Sequence, residues 1–144
     1  MGKILAICTS PRRGTVKTAV PSAVLTPEWG IVSDAHGGNW HRQVSLLSAE
    51  KIEACRKKIW VDYGAFGENL VVEGFDFRTL PVTSRFAIGD VVLEMTQIGK
   101  ECHNDCVIKQ QTGECIMPRE GVFAVVLRGG TIQKGDTIEL VTEK

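Results

Sequence analysis

This sequence predicts a mainly β fold, a closed or nearly closed β-barrel with one or few short helices, on three observations. The 144 residues hold 38 β-branched side chains (16 Val, 11 Ile and 11 Thr) against 9 Leu and 9 Ala, a strand-forming bias. Short apolar or alternating runs recur at roughly ten-residue spacing between glycine turns. One segment alone carries a convincing helical period. Closure into a barrel would also remove exposed strand edges. No composition shift or low-complexity linker divides the chain, so residues 1–144 read as one domain.

Taken in order, Lys3 to Thr9 (KILAICT) is an apolar run that reads as a buried strand, ended by Ser10-Pro11. A basic loop, RRGTVKT, follows. From Ala19 to Val32, Pro21, Pro27 and Gly30 punctuate small apolar residues, which predicts short extended pieces and turns and excludes a long helix. The stretch SDAHGGNWHRQVSLLS starts polar and glycine-rich and ends in a strand at about Gln43 to Leu47. Ala49 to Ile59 is the helix: Ile52, Cys55 and Ile59 recur at a spacing of three and four, and Ser48 can cap its start. In GENLVVEGFDF a turn leads into a strand interrupted at Gly74. RFAIGDVVLEMT (85–96) and TIQKGDTIELVT (131–142) each place a Gly-Asp turn before alternating strand residues, as if one β-turn-β corner were used twice. GVFAVVL at 121–127 is a further strand.

Charge and cysteine usage narrow the function. Seventeen basic and seventeen acidic residues give zero net charge, against a general polyanion binder and so against nucleic acid as partner. No run approaches the ~18 to 20 apolar residues of a membrane span, and the opening apolar stretch is too short for a secretory signal. A cytoplasmic protein without a membrane partner is expected. Five cysteines, an odd number, argue against a complete disulfide framework. Cys8 reads as buried in the first strand and Cys55 as core.

The remaining three, Cys102, Cys106 and Cys115, fall within QIGKECHNDCVIKQQTGECIMPREGVF. Thiolates act as soft metal ligands or nucleophiles when nearby positive charge lowers their pKa, and Lys100, His103, Lys109 and Arg119 are close in sequence. A structural zinc clamp of Cys102, Cys106, Cys115 and His103 is one alternative, although C-x3-C-x8-C lacks the paired C-x2-C knuckles of common zinc modules. Incidental cysteines are another; a reactive or cofactor-ligating thiol leads.

Two other clusters have competing readings. In ICTSPRRGTVKT, Arg12, Arg13 and Lys17 either bind an anion or form a solvated loop. The segment is superficially like the phosphate loop of flavodoxin-like flavin reductases, but Pro21 and Pro27 interrupt the required helix. Asp34, His36 and His41 lie within eight residues, a density that suits metal ligation or proton transfer, against a plain polar turn with Trp40 packing locally. Glu68 and Asn69 are weighed against a turn in which Asn69 takes a special backbone conformation.

In the order SPRRGTVK, GIVSDAHGGNWHRQVSLLS, GENLVVEGFDF, IGDVVLEMTQIGKECHNDC and GVFAVVLRGGTIQKGDTIEL, the chain resembles the MOSC domain, the C-terminal domain of molybdenum cofactor sulfurases, in its stand-alone bacterial form. The resemblance spans nearly the whole chain. It implies a barrel of the MOSC type, binding of the molybdenum cofactor (molybdopterin) or a precursor, and passage of sulfur or metal through a reactive cysteine. Cys102 is favoured for that role and Cys106 next, with Cys115 joining them as a candidate metal ligand. Cofactor contacts implied on this reading are Arg12, Lys17, Asp34, His36, Arg42, Glu68, Asn69, His103 and Arg119.

A related enzymatic reading is molybdenum-dependent reduction of N-hydroxylated substrates, which needs an electron donor for which no flavin, haem or iron–sulfur motif is visible. A zinc-stabilised interaction module is the third. The family's association with pyridoxal phosphate attaches to a desulfurase domain, so that cofactor is expected on a partner cysteine desulfurase and not in this chain. A molybdoenzyme is the other expected partner.

Overall fold

The computed structural model describes residues 2–10, 17–32, 34, 37–38, 40–57 (without the Cys55 side chain), 60, 62–64, 66–99 and 121–141. The opening strand β1 (Gly2–Thr9) is followed by three short ones, β2 (Thr18–Val20), β3 (Ser22–Thr26) and β4 (Gly30–Ile31). Then come β5 (Val44–Ser48), helix α1 (Ala49–Arg56) and β6 (Leu70–Glu73). A single 3-10 turn, Phe77–Thr79, precedes β7 (Arg85–Ile88) and β8 (Val91–Ile98). The chain closes with β9 (Val122–Arg128), β10 (Gly130–Gln133) and β11 (Thr137–Val141).

Seven strands in the order β11-β7-β8-β9-β5-β6-β1 form a barrel, closed where Gly2 and Lys3 of β1 pair with Ile138 and Thr137 of β11. Further along the same strand, Ile7 to Thr9 pair with β2, the extra strand. The predicted mainly β barrel is what the chain forms, and one short α-helix lies among the described residues. β3, β4 and β10 make a separate antiparallel sheet whose Leu25, Ile31 and Ile132 join the barrel's interior cluster.

Alternation assigns the two faces of the wall. Val44 and Leu46, Leu70 and Val72, and Val122, Ala124 and Val126 belong to the interior cluster. Their neighbours Leu47, Val71 and Phe123 belong to a second cluster with Ala6, Cys8, Ala49, Ile52 and Phe66. β5 is therefore buried on both faces, as its run of five fully buried residues requires. It pairs parallel with β6, and parallel neighbours need a crossover; α1 supplies it and lies over the outer face of the wall.

The two Gly-Asp turns differ. In the first, Ile88 pairs with Val91, so Gly89-Asp90 is a two-residue hairpin loop; Gly89, at φ 59°, takes the first central position of a II′ turn. In the second, Asp136 donates its N–H to the Gln133 carbonyl and its carboxylate accepts from the Gln133 N–H. Gly135, at φ 93°, is then the third residue of the turn, and the flanking strands pair with different partners, β10 with β3 and β11 with β7 and β1. One dipeptide thus builds a hairpin once and a corner between sheets once.

The helix spans Ala49–Arg56, shorter than the Ala49 to Ile59 reading; Ile52 is buried as its spacing requires, while Ile59 and the Cys55 side chain lie outside the described residues. Ser48 does not cap it. Its hydroxyl donates instead to the Phe75 carbonyl at 2.6 Å, because Ser48 is the last residue of β5 and faces the chain beyond β6. Phe75 stacks on Phe77 at 5.9 Å between ring centroids and both meet Phe86 edge to face at 5.5 Å, with Phe77 and Phe86 fully buried. Phe86→Ala should lower stability by about 3 to 5 kcal/mol in urea denaturation, the cost of an aromatic-sized cavity in a closed core.

Candidate functional site

Five strands of the barrel wall contribute one lateral row on the outer face. Gln97 pairs with Phe123, Phe123 pairs with Ser45, Ser45 bonds to Asn69, and the Cys8 N–H donates to the Asn69 carbonyl at 2.7 Å. The candidate residues gather at the two ends of this row.

At the Cys8 end they are buried: Lys17 pairs with Asp34, while Glu68 and Asn69 bond neighbouring backbone groups and Ser45. Asn69 Oδ1 accepts the Ser45 N–H (2.9 Å) and Oγ–H (3.1 Å), and Nδ2 donates to the Cys8 carbonyl at 3.0 Å. Its backbone is not in the left-handed region, where Thr83 is the one described non-glycine residue, so the special-conformation reading of Asn69 is corrected: the side chain is used as a staple between strands.

Next to it, the Glu68 carboxylate is fully buried and accepts the Gly64 and Phe66 N–H groups at 2.8 and 3.1 Å. Burial pushes its pKa up from 4.5 to about 7, against the lowering effect of those hydrogen bonds and of Lys17. The Gly64 carbonyl in turn accepts the Lys17 N–H, and a side chain at Gly64 (φ 96°) would meet that residue's backbone at 2.1 Å. Lys17 Nζ bonds Asp34 Oδ1 at 2.8 Å and Ser10 Oγ at 3.1 Å, an ion pair almost wholly out of water. Cys8 packs among these groups as a free thiol. Desolvation, with Glu68 and Asp34 adding to it and Lys17 opposing, raises its pKa to about 12, so it is a neutral, inert thiol at physiological pH.

The Phe123 and Gln97 end carries Arg42 and His41. Arg42 lies with its guanidinium carbon 4.7 Å from the Trp40 ring centroid and 5.6 Å from that of Phe123. Its buried Nε has no hydrogen-bond partner, the one such side-chain atom among the described residues. His41 Nε2 meets Gln97 Oε1 at 2.8 Å. Two residues past Gln97 and Phe123, the Gly99 N–H donates to the Gly121 carbonyl at 2.7 Å, closing the base of the segment that carries three cysteines.

The structure therefore divides the sequence candidates. Lys17, Asp34, Glu68 and Asn69 come together in a buried polar cluster, and Arg42 stands at the root of the cysteine segment. Arg12, His36, Cys102, His103, Cys106, Cys115 and Arg119 lie outside the described residues. Asp34 and His41 have separate partners, and among the described residues no three His, Cys, Asp or Glu side chains are grouped to hold a metal. Ser10, Ser45 and Gln97 were not candidates in the sequence. Only Gln97 had a signal there, two successive polar residues, Thr96-Gln97, breaking the Leu93, Met95 alternation.

A small closed β-barrel with a cationic, aromatic-flanked arginine beside a cysteine-bearing connection is the class that fold and site define. The MOSC domain matches residues 33–139, and the chain belongs to that family, which is related to the molybdenum cofactor. Similar solved structures are the YuaD protein of Bacillus subtilis (TM-score 0.75, 20% identity, 97% of this chain and 96% of that one) and YiiM of Geobacillus stearothermophilus (0.76, 19%, 98% and 75%). YiiM of Escherichia coli is also similar (0.70, 17%, 99% and 71%). At these identities the likeness is one of fold. No curated protein matches the sequence. No helix among the described residues is long and apolar enough to cross a membrane.

Two outcomes follow for the buried cluster. Asp34→Ala leaves the Lys17 ammonium buried and unpaired and should cost about 3 to 5 kcal/mol, read as a fall in Tm. Glu68 binds a proton in the folded state that the unfolded chain has released between pH 4.5 and 7, so its contribution makes stability fall as pH rises through that window, by roughly 3 kcal/mol in total. Glu68→Gln should flatten that slope in urea titrations at pH 5, 6 and 7.5; an unchanged slope would refute the assignment.

Proposed function

We propose that this chain binds the molybdenum cofactor or a precursor and carries sulfur or metal through the thiol of Cys102, with Cys106 as a second thiol. The observation that supports it is the Arg42 guanidinium, whose buried Nε is unpartnered at the root of the cysteine segment. A buried N–H donor without an acceptor costs about 1 to 3 kcal/mol, and an anionic ligand removes that cost. The donor set fits an anionic cofactor: a forked cation for its phosphate, flat Trp40 and Phe123 faces beside it, and soft thiols within the adjoining segment. Cys102 follows Gly99 by three residues, so chain length alone keeps its Cα within about 11 Å of this root.

Roles divide accordingly. Arg42 holds the anion, with Arg12, His36, His103 and Arg119 as its proposed companions. Lys17, Asp34, Glu68 and Asn69 act from the wall behind, where the Lys17–Asp34 pair and the bonds of Glu68 and Asn69 to backbone groups fix the strands on which the site stands. Bound cofactor supplies a soft metal centre able to take a thiolate or sulfide ligand, with Cys102, Cys106 and Cys115 as the candidate ligands. For sulfur carriage, the Cys102 thiolate attacks the outer sulfur of a partner desulfurase's persulfide; a Cys102 persulfide forms and the partner's thiolate is restored, with no net redox change. Attack by the Cys106 thiolate on the inner sulfur then releases sulfide to the acceptor and leaves a Cys102–Cys106 disulfide. Pyridoxal phosphate belongs to that partner, and a molybdoenzyme is the proposed recipient.

Gently purified protein should show a pterin by fluorescence, or one added sulfur on Cys102 by mass spectrometry. Cys102→Ser should abolish the sulfur adduct with little change in Tm, and Arg42→Ala should weaken pterin retention at least about tenfold. Stoichiometric zinc without pterin or added sulfur, together with a large loss of Tm in Cys102→Ser, would replace this reading with a structural zinc clamp.

A further inference from the structure

The turn that precedes β6 lies against Cys8. The Gly67 N–H donates to the Gly64 carbonyl at 3.0 Å, and both glycines sit in the left-handed region, at φ 82° and 96°. Gly64 is seated tightly: a side chain there would lie 2.1 Å from the Lys17 carbonyl oxygen and 3.3 Å from the Cys8 Cβ. Phe66 fills the apolar cluster that holds Cys8, and both residues are buried.

Glu68 holds this turn from within. One carboxylate oxygen accepts the Gly64 N–H and the other the Phe66 N–H, so both are committed to the turn. Lys17 attracts the carboxylate without bonding it, because its ammonium is bonded to Asp34 and Ser10. The other titratable groups around the turn among the described residues are Cys8 on β1, Asp34 after β4 and Tyr63 on the approach to Gly64, and none of them adds positive charge. A carboxylate placed there has lost its water and gained no bonded counter-ion. The neutral acid tolerates that interior, whereas the ion is drawn towards water. Burial accordingly raises the Glu68 pKa to about 7, against 4.5 for an exposed carboxyl. A proton bound more tightly with the turn closed than with it open favours closure at low pH, and that preference is lost as pH rises to 7.

We infer that Glu68 makes this turn a proton-held cover: protonated Glu68 keeps the turn closed over Cys8, and loss of the proton lets it swing out and expose the thiol transiently while the barrel stays folded. Gly64 and Gly67 are the hinges. The device is independent of the cysteine segment and of any cofactor.

Two measurements on the full chain between pH 5 and 8 test it. Hydrogen exchange by NMR, corrected for the intrinsic pH dependence of amide exchange, should give Gly64 and Phe66 opening constants well above that of Met95, whose N–H is bonded in the barrel wall. Those constants should rise roughly fiftyfold from pH 5 to 8, most of it below pH 7. The rate at which Cys8 reacts with dithiodipyridine, read on its peptide by mass spectrometry and divided by the rate in the urea-unfolded chain at the same pH, should rise by the same factor. Glu68→Gln cannot ionise and should leave both readouts flat. If Gly64 and Phe66 exchange only as fast as Met95, opening is global unfolding and the cover is overturned. A flat wild-type series overturns the inference, as does a pH dependence that survives in Glu68→Gln; should that variant fail to fold, the wild-type exchange and labelling series decide.

Discussion

One asparagine side chain holds the parallel seam of this barrel. β6 begins its pairing with β5 at Leu70 and Leu46, yet the wall must continue one row further to reach Ser45 and Cys8. Asn69 supplies that row by itself, accepting the Ser45 N–H and donating to the Cys8 carbonyl with its amide, while its own backbone bonds Ser45 and Cys8. A buried backbone group without a partner costs as much as a lost hydrogen bond. Leucine at this place would leave at least two such groups unpaired in a region with no access to water. Asn69 is fully buried, so its fit there is a matter of donors and acceptors rather than of turn conformation.

The same demand for satisfied groups shapes everything around the seam. The crossover from α1 returns to β6 through a tight turn whose Gly64 and Phe66 N–H groups point inward, and Glu68 is the acceptor for both. The Gly64 carbonyl fixes Lys17, Lys17 pairs with Asp34, and Asp34 accepts the Ser10 N–H at the end of β1. A charge buried at one point thus calls for a partner at the next, until the chain of bonds returns to the strand where it started. Such a circuit fixes the ends of β1, β2 and β4 relative to the seam.

Much of the barrel could be read from residue order because its strands obey period two and its turns carry glycine. β1, β9, the Gly89-Asp90 hairpin and the start of α1 are local features, and local physics determined them. The parallel pairing of β5 and β6 is not local. Both strands read as buried, but no short-range signal distinguishes a strand that returns antiparallel from one that crosses over a helix. The two Gly-Asp turns show the same limit: whether glycine occupies the second or third place depends on what the flanking strands pair with, and those partners are over a hundred residues away for β11 and β1. For the site, the clustering of Lys17 with Asp34 depends on tertiary proximity across the intervening loops. Their identities as charged residues were legible and their mutual neutralisation was not. Gln97 was legible only in part: the pair Thr96-Gln97 breaks the Leu93, Met95 alternation, but the register shift between Met95 and Gln97 that sets its position belongs to the sheet and not to the residue type.

Zero net charge takes on a different meaning once the pairs are known. Lys17 is cancelled by Asp34 in the interior, and Arg56 and Arg85 lie against Glu53 and Glu94 at the surface. Arg42 is not matched in this way: it faces two aromatic rings and no carboxylate among the described residues, and its Nε is buried without an acceptor. Aromatic faces stabilise a guanidinium through their quadrupole yet offer its N–H groups nothing to bond along the plane of the fork. An arginine held in that manner is pre-ordered for an anion that arrives in its plane, because the entropy of fixing the side chain has already been lost in folding. Overall neutrality and one directed cationic contact are therefore compatible: the Lys17–Asp34 pair cancels within the wall, while Arg42 faces two aromatic rings at the cysteine segment's root.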